Sequence, residues 1–166
     1  NSDIYIGGKY FLTSSSNNTV AFGDYTFPYT VSGNRPYILK MNSQGEVQWS
    51  KTPSGYIASE ADTGAVRGLD VAINGNEVAL ATQGWSVIWD SFSIDRPSGH
   101  RHDPILLRFN KQTGEVIGLH DIYGNSGTDH YLTAVTADND GNYVVGGAMG
   151  YSLFTNNPNG INTLYN

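Results

Sequence analysis

Two histidines separated by a single residue form the strongest metal-like motif in this chain. His100 and His102 lie two positions apart and precede Asp103. On an extended segment such side chains point to the same side, where two imidazoles can share a metal ion. A third ligand would have to come from His120 or His130, because no further ligand follows at a set spacing. The sequence therefore favours polar loop residues here and keeps a metal site as the alternative.

An acidic turn resembles a calcium-binding loop. Asp138 and Asp140 occupy alternate positions and lead into Gly141, which is how calcium loops arrange oxygen ligands before a sharp turn. The downstream glutamate that completes an EF-hand is missing, and the similar turn at residues 72–76 has no acidic residue. A hairpin turn is the favoured interpretation, with bound Ca²⁺ as the alternative, and no other cofactor is predicted.

An aromatic insertion offers a third kind of chemistry, the recognition of sugars. Trp85, Trp89 and Phe92 lie close together in the sequence, with Asp90 between them and Asp95 beyond. Aromatic rings over the apolar face of a sugar, flanked by carboxylates, make a glycan site. The sequence favours the alternative, in which the rings anchor the insertion on its sheet. The two aspartates are not assigned as a glycosidase pair, since the separation of carboxyl groups is a three-dimensional quantity.

Composition and charge argue against several classes of function. The chain has 166 residues and a net charge of −6, so nucleic acid and anionic lipid are not expected partners. No apolar run reaches the roughly 18 residues of a membrane helix, so no membrane insertion is expected. The chain has no cysteine, which excludes disulfides and thiolate chemistry. No nucleophile elbow is present, and no catalytic residue is predicted.

The elements that would position these residues repeat along the chain. Residues 35–42 return as residues 103–110, each followed by a turn and Gly-Glu-Val. Residues 3–8 return as residues 142–147, with a weaker copy at residues 76–81. A fixed-order repeat of β-type segments is typical of a propeller or solenoid.

The repeat unit predicts the fold class. Each unit contains four short strands in roughly 70 residues, which is the content of a β-propeller blade. The approximate units are residues 1–73, 74–139 and 140–166. The predicted fold is therefore all-β, with consecutive four-stranded antiparallel blades. Two and a half units cannot close a ring, so the chain is expected to be a truncated part of a larger propeller, completed by the rest of the same polypeptide or by further blades.

These segments resemble the bacterial β-propeller repeats called SBBP. The resemblance rests on Tyr-Ile-Gly-Gly at residues 5–8, on residues 20–23 and 37–42, on Gly-Glu-Val-Gln-Trp-Ser-Lys at residues 45–51, and on residues 103–110 and 138–147. It implies a large secreted or cell-surface bacterial protein, including cargo that Bacteroidetes export by the type IX route. The resemblance implies scaffolding and adhesion, with a protein or glycan at a cell surface as the partner.

A second resemblance, to quinoprotein-type propeller repeats, rests on Thr-Gly-Glu at residues 113–115 and on Trp49 as a docking tryptophan. We expect a non-enzymatic extracellular binding scaffold. The alternatives are a catalytic propeller, either quinoprotein-like or carbohydrate-active, and a structural spacer. Any specific function is expected in unrepeated segments such as residues 83–102.

Overall fold

The computed structural model describes residues 2–12, 19–27, 33–56, 67–95, 102–122 and 130–148. Every regular element in these ranges is a β-strand, as the sequence predicts, and none of the ranges holds a helix that could cross a membrane. The strands are β1 (Ile4–Leu12), β2 (Ala21–Phe22), β3 (Tyr25–Thr26), β4 (Gly33–Met41), β5 (Val47–Lys51), β6 (Gly55–Tyr56), β7 (Asp70–Asn74), β8 (Glu77–Gly84), β9 (Val87–Trp89), β10 (Phe92–Ser93), β11 (Asp103–Asn110), β12 (Val116–Asp121), β13 (Tyr131–Ala137) and β14 (Tyr143–Ala148).

Three of the sheets belong to the predicted repeat and are numbered here in chain order. The second of them is a four-stranded antiparallel meander. Its strands lie in the order β12-β11-β8-β7, so neighbours in the sheet follow one another along the chain except where β9 and β10 are inserted between β8 and β11. The hairpin between β7 and β8 turns at Gly75 and Asn76, where the sequence predicts an Asn-Gly turn. The side chains of β8 after Glu77 are all buried, since neighbouring sheets cover both of its faces.

The first and third sheets contain parts of the same meander. The first has the order β1-β4-β5, and the third pairs β13 with β14. When Pro36 is aligned with Pro104, the strand registers make Asp3 equivalent to Glu77. The alignment of residues 3–8 with residues 76–81, which pairs Ile4 with Glu77, is therefore shifted by one residue. Most of the third predicted unit, from residue 149 onward, lies outside the described residues.

The three sheets stack through their equivalent strands. Strand β13 contacts both β7 and β8, and β1 contacts β7. The Asp70 carboxylate accepts a hydrogen bond from the backbone N–H of Val135, at 2.8 Å, which joins β7 to β13. A Cβ atom on Gly7 would lie 2.6 Å from Cγ2 of Val71, so this glycine permits the close approach of the first and second sheets. The described residues form no closed ring or barrel.

Two small hairpins are inserted at the same place in the first two sheets. The first hairpin, residues 20–27, contains β2 and β3, and the second hairpin, residues 87–94, contains β9 and β10. Each hairpin is closed by a hydrogen bond at the same place, from Phe27 N to Val20 O in the first and from Ile94 N to Val87 O in the second, both at 2.9 Å. The insertions are therefore part of the repeat, and the expectation that residues 83–102 are unrepeated is wrong for this hairpin.

Candidate functional site

The repeated sheets have two different ends. At one end, here called the turn end, short turns at residues 42–46, 74–77, 110–115 and 138–142 join neighbouring strands. The opposite end, here called the loop face, contains the first residues of β4, β11 and β13, and the insertions that carry the two hairpins leave β1 and β8 there. Short turns leave little freedom for new side chains, whereas insertions of unequal length can present them.

At the turn end, Asp138 stabilises its own turn. Its Oδ1 accepts hydrogen bonds from the backbone N–H groups of Asp140 and Asn142, and its Oδ2 accepts one from the Asn142 side chain. The hydrogen bonds from Asn142, first that of its side chain and then that of its backbone, lower the pKa of the Asp138 carboxyl. The two oxygens that a calcium ion would use are therefore engaged within the turn, and Asp140 is exposed.

The same turn forms at residues 42–46 with an asparagine in place of Asp138, and the turn at residues 110–115, which is one residue longer, also uses an asparagine. Asn42 Oδ1 accepts from the N–H groups of Gln44 and Glu46, and Asn110 Oδ1 accepts from that of Gln112. A neutral amide therefore serves this turn as well as a carboxylate. Among the described residues, no group of three or more His, Asp or Glu side chains could hold a metal ion.

We expect Asp138→Asn to lower the melting temperature only slightly, because the amide oxygen still accepts from the two backbone N–H groups and only the charge-assisted hydrogen bond from the Asn142 side chain is lost. Addition of Ca²⁺ should leave the melting temperatures of parent and variant alike. Differential scanning calorimetry with and without Ca²⁺ measures both. Stabilisation of the parent by Ca²⁺ that Asp138→Asn removes would instead establish the calcium site.

A cross-strand ion pair also repeats at the turn end. Lys40 Nζ lies 3.0 Å from Asp3 Oδ2, and at the equivalent place Arg108 Nε donates to Glu77 Oε2 at 2.8 Å. The hydrogen bond from Arg108 lowers the pKa of Glu77. Burial, and then the negative charge of Glu77, raise the pKa of the nearby Tyr143 to about 12. This pair is not among the residues predicted from the sequence, although an acidic residue at one repeat position and a basic residue at another are its signal there.

We expect Glu77→Gln to cost about 1 kcal/mol at neutral pH, since the pair is only about a quarter exposed. The folded state holds the pKa of Glu77 below its ordinary value of 4.5, so its stabilisation is present above that value and is lost as pH falls through the folded pKa. The free energy of unfolding of the parent should therefore fall more steeply than that of the variant below about pH 5. Urea unfolding across this pH range is the measurement, and Glu115→Gln, at an exposed position, is the control. Parallel pH profiles for the parent and Glu77→Gln would contradict the expectation.

At the loop face, the second hairpin is anchored from two sides. Trp89 is 1% exposed and packs against Phe109, with ring centroids 5.9 Å apart. On the other side, β9 pairs with β6, and Asp90 Oδ2 accepts a hydrogen bond from Lys51 Nζ at 2.7 Å. The aromatic ring of Trp89 therefore anchors the insertion, as the alternative interpretation holds, and its faces are not available to a sugar.

The other residues proposed for a glycan site lie nearer the surface. Trp85 and Phe92 are half-buried, and Asp90 is exposed with a positive φ of 52°. Asp95 is exposed at the end of the hairpin. The second hairpin thus presents carboxylates and partly covered rings on one surface, while Trp89 supports them from beneath.

The structure brings two of the histidines together but describes no metal centre around them. The backbone N–H of His130 donates to the carbonyl of His102 at 2.8 Å, which joins the start of β13 to the start of β11. His120 lies on β12, where burial lowers its pKa. His100 lies outside the described residues.

Buried polar side chains gather at the loop face. Arg35, Gln83, Asp103 and His130 are each at most 2% exposed, and they lie at or near the loop-face ends of β4, β8, β11 and β13. Nearby, among the described residues, the Trp85 indole N–H is buried without a hydrogen-bond partner. Buried polar groups are stable only when they are hydrogen-bonded, so this end of the sheets is the chemically distinctive one.

Comparison with protein-family models found no match to this chain, and comparison with curated proteins found none either.

Proposed function

We propose that this chain is a section of a β-propeller that acts as a non-enzymatic binding scaffold outside a bacterial cell or on its surface. The observation that carries this proposal is that short turns close one end of the repeated frame, whereas the insertions that carry the hairpins leave it from the opposite end. A frame that carries long insertions from one end is suited to binding through side chains of those insertions.

The propeller arrangement is supported by the second sheet and its neighbours. A four-stranded antiparallel meander is the blade of a propeller, and β7 and β13 hold the same place in successive sheets. Trp49 of the first sheet also packs on the turn of the second sheet that contains Gly114, which gives the two sheets a specific contact.

The binding surface in this proposal is the loop face around the second hairpin. Asp90, Ser91, Ser93 and Asp95 are exposed there, beside the half-buried rings of Trp85 and Phe92. Polar side chains next to aromatic rings suit a glycan or a polar protein surface. The net charge of −6 favours a neutral or cationic partner over an anionic one.

A glycan array and a pull-down from bacterial cell-surface extracts, both with the whole chain, test this proposal. We expect a ligand whose affinity falls at least about tenfold in Ser93→Lys and Asp95→Lys, because these changes alter the exposed loop face. Asn139→Lys, at an exposed position of the turn end, is the matched control and should bind like the parent. Loss of binding in the control alone would contradict the assignment of the face.

Two other outcomes would overturn the proposal. Quinone absorbance in the purified native protein would identify a catalytic propeller. A chain that binds nothing on the array or in the extract would instead be a structural spacer.

A further inference from the structure

The contact between the first and second sheets is centred on one turn, here called the docking turn, at residues 110–115. Trp49 lies so close to Gly114 that a Cβ atom on this glycine would be 2.7 Å from Cδ2 of the indole. The indole Nε1–H donates to the carbonyl of Lys111 at 3.3 Å. The tryptophan buries Gly114, although this residue lies in a turn.

Two further side chains of the first sheet reach the same turn. The Tyr5 hydroxyl donates to the carbonyl of Lys111 at 3.2 Å, and Lys40 Nζ donates to Gln112 Oε1 at 3.2 Å. The docking turn therefore receives an indole N–H, a phenol O–H and an ammonium group from one neighbouring sheet.

The first sheet carries the equivalent turn, and no side chain from another sheet docks on it within the described part of the chain. Residues 42–46 contain Ser43, Gln44 and Gly45 where the docking turn has Lys111, Gln112 and Gly114. The same acceptors are present, namely a backbone carbonyl and a glutamine side chain, and all of these residues are exposed. A Cβ atom on Gly45 would meet nothing within 4 Å in the described part of the chain.

The surface beside this turn is also covered on one side only. Ile4 is 45% exposed, whereas Val78, at the equivalent place in the second sheet, is fully buried. In the described residues, β2 pairs with β3 alone, whereas its counterpart β9 pairs with both β10 and β6. The positions that are exposed in the first sheet are therefore equivalent to positions of the second sheet that the first sheet covers.

We propose that this surface, formed by Ile4, the turn at residues 42–46 and the edge of β2, is an interface for a further sheet of the same repeat. The occupant carries a tryptophan on its outermost strand at the position of Trp49. The second sheet of another copy does not meet this requirement, because it has Gly118 at the position of Trp49. The strand registers show this equivalence, since Gly118 pairs with Arg108 and Trp49 pairs with Lys40. The inference rests on the proposed propeller arrangement, but not on any ligand at the loop face.

An extended chain tests the interface directly. The extended chain consists of a copy of residues 1–76 followed by residues 3–166. At this junction the β7 segment of the copy leads into β1, just as β7 leads into β8 in the parent. The parent has three tryptophans and the added segment contributes one, so a ¹⁵N spectrum resolves a fourth indole N–H. We expect hydrogen exchange of this fourth indole N–H to be at least about tenfold slower than that of a free indole.

Two glycine variants serve as matched controls in the extended chain. Gly45→Ala should accelerate exchange of the fourth indole only, and Gly114→Ala should accelerate exchange of the original Trp49 only. A fourth indole that exchanges at the free rate would overturn the proposal. This includes an added copy that does not fold, since the same residues fold in the parent.

A second copy of the chain is the other occupant that the test distinguishes. If the unextended chain sediments as a dimer that Gly45→Lys dissociates, the surface pairs two copies and the proposal is wrong. The exchange measurement contains no ligand, so its failure leaves binding at the loop face to be judged by the array and pull-down.

Discussion

Replacing Gly68 by alanine should destabilise the fold by about 3–5 kcal/mol. Gly68 has a positive φ of 62°, and a Cβ atom there would overlap the backbone carbonyl oxygen of Leu132. A backbone oxygen of β13 cannot rotate away as a side chain can, so the second and third sheets would have to separate. Urea unfolding followed by circular dichroism measures the loss.

The matched control for this variant is Gly75→Ala. Gly75 has nearly the same φ, 57°, but a Cβ atom there would meet nothing within 4 Å in the described chain. Its cost should be confined to the backbone conformation, about 1 kcal/mol. The difference between the two variants therefore isolates the contact between the sheets. Equal losses would show that Gly68 and Leu132 do not touch.

The second large effect is expected at Trp89. Replacement of this buried indole by alanine should cost about 3–5 kcal/mol, since it removes the contact with Phe109 and leaves a cavity beneath the second hairpin. Chemical unfolding with tyrosine fluorescence or circular dichroism gives the free energy. Any loss of ligand binding in this variant would follow from disorder of the hairpin and would not establish stacking on a sugar.

Trp85→Ala is the control for Trp89→Ala. Trp85 lies in the same insertion but is half-buried and outside the apolar cluster that contains Trp89. Its replacement should cost clearly less, because fewer contacts are lost. Trp89→Ala with the stability of the parent would place that indole at the surface and return it to the list of ligand-binding candidates.

Much of the fold was accessible from periodicity and turn chemistry. The alternation around Gly23-Asp24 predicts the first hairpin, and β2 and β3 form there. The recurrence of residues 35–42 as residues 103–110 predicts equivalent strands. In the structure β4 lies between β1 and β5, and β11 lies between the equivalent strands β8 and β12. These features are local, since each follows from residues close together in the chain.

The second hairpin shows why local reasoning reached a limit. Its pattern, Val-Ile-Trp followed by Phe-Ser-Ile, matches the first hairpin only if Gly23 is aligned with Asp90, whose side chain disguises the turn. The closing hydrogen bonds reveal the equivalence that residue identity concealed. From the sequence, an anchoring role is favoured for Trp89 and a ligand surface is the other candidate, but its place in the repeated frame is not recognisable.

The sequence by itself determined the strands, their turns and the existence of a repeat, because these depend on alternation and on residues a few positions apart. The second resemblance marked Trp49 as a docking tryptophan, but only the tertiary structure decided that it docks on Gly114, that a Cβ atom on Gly45 would meet nothing in the described residues and that His102 lies beside His130. These contacts join residues from different sheets or from distant strands. Their geometry depends on how closely the strands and sheets approach, and that is set by packing over many side chains at once.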